Sequence, residues 1–204
     1  MRKVLISILV GLFVLSTSVF AQENELRTLL ESLDNAYKAN DTIMLSSLFL
    51  HNNENDVKVS NACIKLLLMK SSMNDFAEMT KKKYPEALSE MGMFGFLIGL
   101  YSTPTLFKEK SINAKFTIEG NFARSEYVPS ENICKNCNLI DNFRLINNKW
   151  YYSPYKNDSD NGQGMIRIVQ LFESAIKIGT ELLQQNLSKD EFVAKLKSSL
   201  PPMQ

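Results

Sequence analysis

Two cysteines have the spacing most suggestive of chemistry in this chain. Cys134 and Cys137 are separated by two residues, as in local disulfides, in thiol–disulfide redox pairs and in half of a zinc site. A redox pair of the thioredoxin type lies at a helix N-terminus, where the dipole lowers the pKa of the first thiol. The flanking sequence, 129–132 before the pair and a strand pattern after it, predicts no such helix. We therefore expect a structural disulfide between Cys134 and Cys137, with redox catalysis and metal binding as alternatives.

A four-ligand zinc set would need Cys63 and His51 in addition to this pair. Only Cys134 and Cys137 have the spacing of metal ligands, and Cys63 lies at an apolar position of a helical pattern. A buried free thiol is the usual state of such a cysteine. We expect no metal site.

His51 is the only histidine, and imidazole is the side chain whose unperturbed pKa suits proton transfer near neutrality. It follows Leu50 at the end of a predicted helix, which favours a role as a C-terminal cap. The chain has no Gly-x-Ser-x-Gly, Gly-x-Gly-x-x-Gly, phosphate-loop or His-Glu-x-x-His motif. An enzyme would therefore work without a cofactor, using His51 or an inward acid such as Asp141.

Aromatic residues crowd the same region of the chain, most densely between Trp150 and Tyr155. Such a cluster is usually part of a core, but it can also line a pocket for an apolar ligand. Arg144 or Tyr152 would then supply a polar contact at the mouth of the pocket. The candidate ligand-binding residues are Phe116, Phe143, Arg144, Trp150 and Tyr152.

These candidates lie in 112–155, the only part of the chain with strand periodicity. Alternation from Ala114 to Phe122 predicts a strand, and its slip after Phe122 predicts a bulge. Two further strands, 139–146 and 149–155, are joined by Asn147-Asn148, a pair suited to a tight hairpin turn with positive φ.

Helical periodicity covers residues 24–101 before the sheet and 165–200 after it, with Leu26, Leu29, Leu30, Leu33 and Tyr37 on one face of the first helix. The segment 91–101 is apolar nearly all round and contains Gly92, Gly95 and Gly99, which predicts a buried helix approached closely by another backbone. Ser188 and Glu191 have the spacing of a capping box. The fold class is therefore α+β, with N-terminal helices packed on a small curved antiparallel sheet and helices at the C-terminus.

The first 21 residues have the pattern of a secretory signal peptide, with Arg2 and Lys3 before an apolar run too short to span a bilayer. We expect export to the periplasm or the medium and a single domain over 22–204, without an integral membrane segment. Cleavage removes two of the 23 basic residues and none of the 22 acidic ones, which leaves a net charge of −1. A protein with so small a net charge has no long-range positive electrostatic field that would attract nucleic acid.

Two segments carry a resemblance to a known family. Residues 36–49 resemble the opening helix pair of the nuclear transport factor 2-like superfamily, a group of cystatin-like α+β cones, and 143–152 resemble the hairpin near its end, where a Lys-Trp pair often follows the turn. The resemblance implies a curved sheet wrapped round helices and enclosing a pocket. The superfamily includes isomerases, dehydratases and exported domains of unknown role. The acid and histidine constellations of its enzymes have no clear match in this chain.

These observations favour an exported binding or interaction module, with a small apolar ligand on the concave face of the sheet or another exported protein as its partner. A cofactor-free isomerase or dehydratase and a redox protein using Cys134 and Cys137 are the alternatives.

Overall fold

The structure, a computed structural model, describes residues 2–101, 105–130, 137–154 and 163–200, and for 2–19, 100 and 101 the backbone only. In chain order the elements are α1 (Arg2–Lys38), α2 (Thr42–Leu48), α3 (Glu54–Leu68), α4 (Lys70–Lys83), α5 (Ala87–Glu90), α6 (Met93–Tyr101), α7 (Phe107–Asn113), β1 (Lys115–Glu119), β2 (Phe122–Tyr127), β3 (Leu139–Ile146), β4 (Lys149–Ser153), α8 (Gln163–Leu183) and α9 (Lys189–Ser199). The predicted α+β class is confirmed, with helices before and after the sheet.

The chain divides into two compact units. The sheet unit comprises Met1–Asn52 and Leu106–Asp158, and the helical unit comprises Asn53–Thr105 and Ser159–Gln204. The single domain over 22–204 stays a prediction.

The four strands pair antiparallel in the order β1-β2-β3-β4. The bulged strand predicted through Phe122 is wrong, because Gly120 and Asn121 form a turn that separates β1 from β2, with φ of +59° at Gly120 and Ile118 paired with Ala123. A bulge and a two-residue turn both move the inward side chains from even to odd positions, so alternation alone does not distinguish them. The tight turn at Asn147-Asn148 is confirmed by φ values of +50° and +59°.

Helices α1 and α7 pack beside the inner face of the sheet. The predicted apolar stripe of α1 is buried, at Leu26, Leu29, Leu30 and Leu33. Arg27 joins the two helices, since its guanidinium donates to the carbonyl oxygens of Ser111 at 2.6 Å and Ala114 at 3.1 Å. These bonds satisfy carbonyls at the C-terminal end of α7.

The helical unit has its own core, built from α3, α4, α5, α6, α8 and α9. Gly95 of α6 lies against the carbonyl of Leu88, the close approach predicted for this helix. The prediction that α6 is buried all round is wrong, because Met93 and Phe96 are 60% and 65% exposed. The capping box of α9 at Ser188 and Glu191 is confirmed. In the described part of the chain, no helix has the length and hydrophobicity to cross a membrane.

Candidate functional site

The aromatic side chains on the inner face of the sheet pack against one another. The ring centroid of Phe143 lies 6.1 Å from that of Phe116 and 5.8 Å from that of Tyr152. Tyr152 in turn contacts Phe49 at 5.0 Å and Phe107 at 6.0 Å. Phe49 and Phe143 have no exposed surface. At these spacings the rings are in direct contact, so this part of the inner face is a packed core.

Four of the five candidate ligand-binding residues share this inner face. Trp150 pairs with Leu145 across β3 and β4 and is 4% exposed. Arg144 lies on the opposite face, where its guanidinium carbon is 5.3 Å from the centroid of Phe122. Because successive side chains of a strand point to opposite faces, Arg144 cannot serve a site formed by Phe143 and its neighbours.

A buried polar cluster lies beside these rings, centred on Asp141 of β3. Lys110 of α7 donates to Oδ1 of the carboxylate at 3.0 Å, and its ammonium lies 2.9 Å from Oδ2. The hydroxyl of Tyr152 donates to Oδ1 at 2.9 Å, and that of Ser125 donates to Oδ2 at 3.2 Å. Lys110, Asp141 and Ser125 are all buried. We call these four residues the Asp141 cluster.

The Asp141 cluster is arranged as an anchor rather than as a catalytic base. Oδ1 already accepts two hydrogen bonds, and Oδ2 accepts one and lies against the Lys110 ammonium, so little capacity is left for a substrate proton. The sequence indicated Asp141, because the alternation of β3 places it on the apolar face. An isolated buried charge is very costly, and this cost is the signal that a cationic partner is buried with Asp141. The sequence did not identify Lys110, which lies on a helix of seven residues.

A cleft of about 410 Å³ lies at the edge of the sheet, next to β4. Its lining residues are Ser46, Ser47, Phe49, Leu50, His51, Asn52, Ile146, Asn147 and Tyr151. One wall forms because α2 ends at Leu48 and the chain then pairs with β4, with Phe49 bridged in parallel to Tyr152 and the Leu50 amide donating to the Tyr152 carbonyl at 2.9 Å. The β3–β4 turn forms another wall. We call this site the His51 cleft.

His51 lines this cleft and also holds an unsatisfied polar atom. Its Nε2 is buried and has no hydrogen-bond partner in the part of the chain that the structure describes. The C-terminal cap predicted for His51 is wrong, because α2 is capped by the Phe49 amide, which donates to the Leu45 carbonyl. Leaving a buried nitrogen unpaired costs about 1–3 kcal/mol, which marks His51 as a candidate to hydrogen-bond a ligand.

Lys149 lies over another wall of the His51 cleft. Its ammonium is 4.9 Å from the ring centroid of Tyr151 and donates a long hydrogen bond, of 3.4 Å, to the carbonyl of Ser47. Both of these residues line the cleft. A cation and an imidazole are therefore held beside the same space.

The structure describes two of the three cysteines, Cys63 and Cys137. Cys63 lies on α3 as a free thiol, and burial raises the pKa of that thiol to about 12. Cys134 and Tyr155 lie outside the described residues, so the disulfide between Cys134 and Cys137 stays a prediction. Within the described ranges, no group of three or more His, Cys, Asp or Glu side chains could hold a metal ion.

No protein-family model, curated protein or solved structure matches the chain. The resemblance to the nuclear transport factor 2-like superfamily therefore stays a prediction from its two motifs.

Proposed function

We propose that this protein is an exported binding module that holds a small molecule in the His51 cleft. The observation that carries the proposal is the unpartnered Nε2 of His51 beside a cleft of about 410 Å³. Ligand sites in proteins commonly enclose about 300–1,000 Å³ and combine apolar walls with a few polar groups. Leu50, Ile146 and Tyr151 supply the apolar walls, and His51 and the serines supply the polar groups.

The proposal places the ligand at the edge of the sheet rather than on its concave face. The ring of Phe143 contacts those of Phe116 and Tyr152, so the aromatic cluster is packed at that point. Binding is favoured over catalysis by an inward acid, because Asp141 is already engaged by three donors. Export rests on the signal-peptide pattern of residues 1–21.

Native mass spectrometry of the protein purified from its own host tests this function. We expect a bound small molecule as a discrete added mass, lost in His51→Ala and retained in Gln184→Ala. Gln184 is the matched control because it lines a cleft of the same volume, about 410 Å³, in the helical unit. Equal retention by both variants would contradict the His51 cleft as the site. If the unaltered protein shows no added mass, the proposal that it retains a bound small molecule is wrong.

A further inference from the structure

We infer that the ligand of the His51 cleft is a small organic anion, a carboxylate carried on an apolar body. This inference rests on the proposed function and adds the charge of the ligand. It follows from the charges placed around the cleft and from the apolar side chains that complete its walls.

The described lining of the His51 cleft contains no Asp or Glu. Two acids, Asp41 and Asp141, cap or belong to the elements that form the cleft. Both already accept hydrogen bonds from groups outside the cleft. Asp41 accepts a hydrogen bond from the Met44 amide at the other end of α2. Asp141 of β3 is held by Lys110, Ser125 and Tyr152. An anion entering the cleft therefore meets no carboxylate on its described walls.

Lys149 supplies the cation. Its ammonium forms no ion pair with an acid of the described chain, and its one hydrogen bond, to Ser47, is long at 3.4 Å. An ammonium has three donors, so Lys149 keeps donors that can turn towards an anion beside Tyr151. A hydrogen bond between charged partners is stronger than one between neutral groups.

The remaining walls suit the apolar body of such a ligand. Leu50, Ile146 and the ring of Tyr151 face the same space as His51. A planar or aliphatic body would lie against these side chains while its carboxylate lies near Lys149. An inorganic anion would leave the apolar walls in contact with water, which the hydrophobic effect disfavours.

Three probes with the same ring and different charges test the inference: benzoate, benzamide and benzylamine. Because His51 is the only histidine, its imidazole gives one pair of ring proton–carbon signals in an NMR spectrum, and these report on the cleft. Benzoate should shift them saturably and bind about fivefold more tightly than benzamide, the effect of one exposed ion pair. Lys149→Met should remove this preference and leave the affinity for benzamide unchanged. Lys115→Met, an exposed cation of β1, is the control and should change neither affinity.

Equal affinities for benzoate and benzamide, or a benzoate affinity unaffected by Lys149→Met, would overturn the anion preference while leaving binding in the cleft intact. If none of the probes shifts the His51 signals, the inferred anion binding is also wrong. The proposed function is tested independently by native mass spectrometry, which shows whether the host-purified protein carries a ligand that His51→Ala loses.

Discussion

The ammonium of Lys110 and the carboxylate of Asp141 form an ion pair of 2.9 Å in the interior of the sheet unit, with side chains only 8% and 4% exposed. The pair joins α7 to β3, since Lys110 belongs to the helix and Asp141 to the strand. A slip of β3 by one residue would turn Asp141 to the opposite face and leave Lys110 buried alone. The pair therefore favours one register of the sheet over its neighbours.

Replacement of Lys110 by methionine should destabilise the protein by about 3–5 kcal/mol, because it leaves the Asp141 carboxylate buried without its cation. Urea denaturation followed by the fluorescence of Trp150, the only tryptophan, measures this change in the sheet unit. The double variant Lys110→Met with Asp141→Leu should lose much less than the sum of the two single variants, since an apolar pair of similar volume replaces the ion pair. Additive losses would show that the two residues act independently.

The hydroxyl of Tyr152 should contribute about 1.5–3 kcal/mol, the usual range for a hydrogen bond to a charged group. Tyr152→Phe removes its bond to Asp141 and keeps the ring against Phe49 and Phe143. Tyr151→Phe is the matched control, because it makes the same chemical change on the other face of β4. Urea denaturation of the two variants should give a loss for Tyr152→Phe and a change within about 0.5 kcal/mol for Tyr151→Phe. Equal losses would contradict a specific role for the Tyr152 bond.

The features that the sequence predicted correctly are set by local patterns. The stripe of leucines on α1, the Asn147-Asn148 turn and the capping box at Ser188 each depend on residues within a few positions of one another. The inward position of Asp141 follows from strand alternation in the same way.

The features that the sequence did not predict depend on long-range pairing or on short elements. The His51 cleft exists because Phe49 pairs in parallel with Tyr152, a contact between residues far apart in the chain. Lys110 lies on α7, whose seven residues are too few to establish a helical period. Sequence analysis therefore singled out Asp141 and Tyr152 of the cluster and the Asn147-Asn148 turn beside the cleft, but it predicted neither assembly.

Gly179 should be intolerant of a side chain. A Cβ atom at this position of α8 would lie 2.4 Å from Cε2 of Phe76, whose side chain is fully buried. Crowding of this kind costs about 1–3 kcal/mol, more than the roughly 0.5–1 kcal/mol that alanine gains over glycine in a helix. Gly179→Ala should therefore lower the free energy of unfolding measured by far-ultraviolet circular dichroism in urea. Gly164→Ala, in the same helix with no atom within 4 Å of the added Cβ, should cause no loss. Equal stability of the two variants would contradict the close contact with Phe76.

Thiol titration distinguishes the free thiol of Cys63 from the predicted disulfide between Cys134 and Cys137. Because burial raises the pKa of Cys63 to about 12, its thiol stays protonated well above neutrality. At about pH 8 only about one molecule in 10⁴ would carry the reactive thiolate, so the folded protein should react very slowly with a disulfide reagent. Unfolding restores an ordinary pKa and should expose one reactive thiol in protein purified without reductant, provided that Cys134 and Cys137 are joined. Cys63→Ser should then give no reactive thiol in either the folded or the unfolded state.

Three reactive thiols in the unfolded protein would show that the predicted disulfide is wrong. Rapid reaction of the folded protein, abolished by Cys63→Ser, would contradict the protonated state of Cys63.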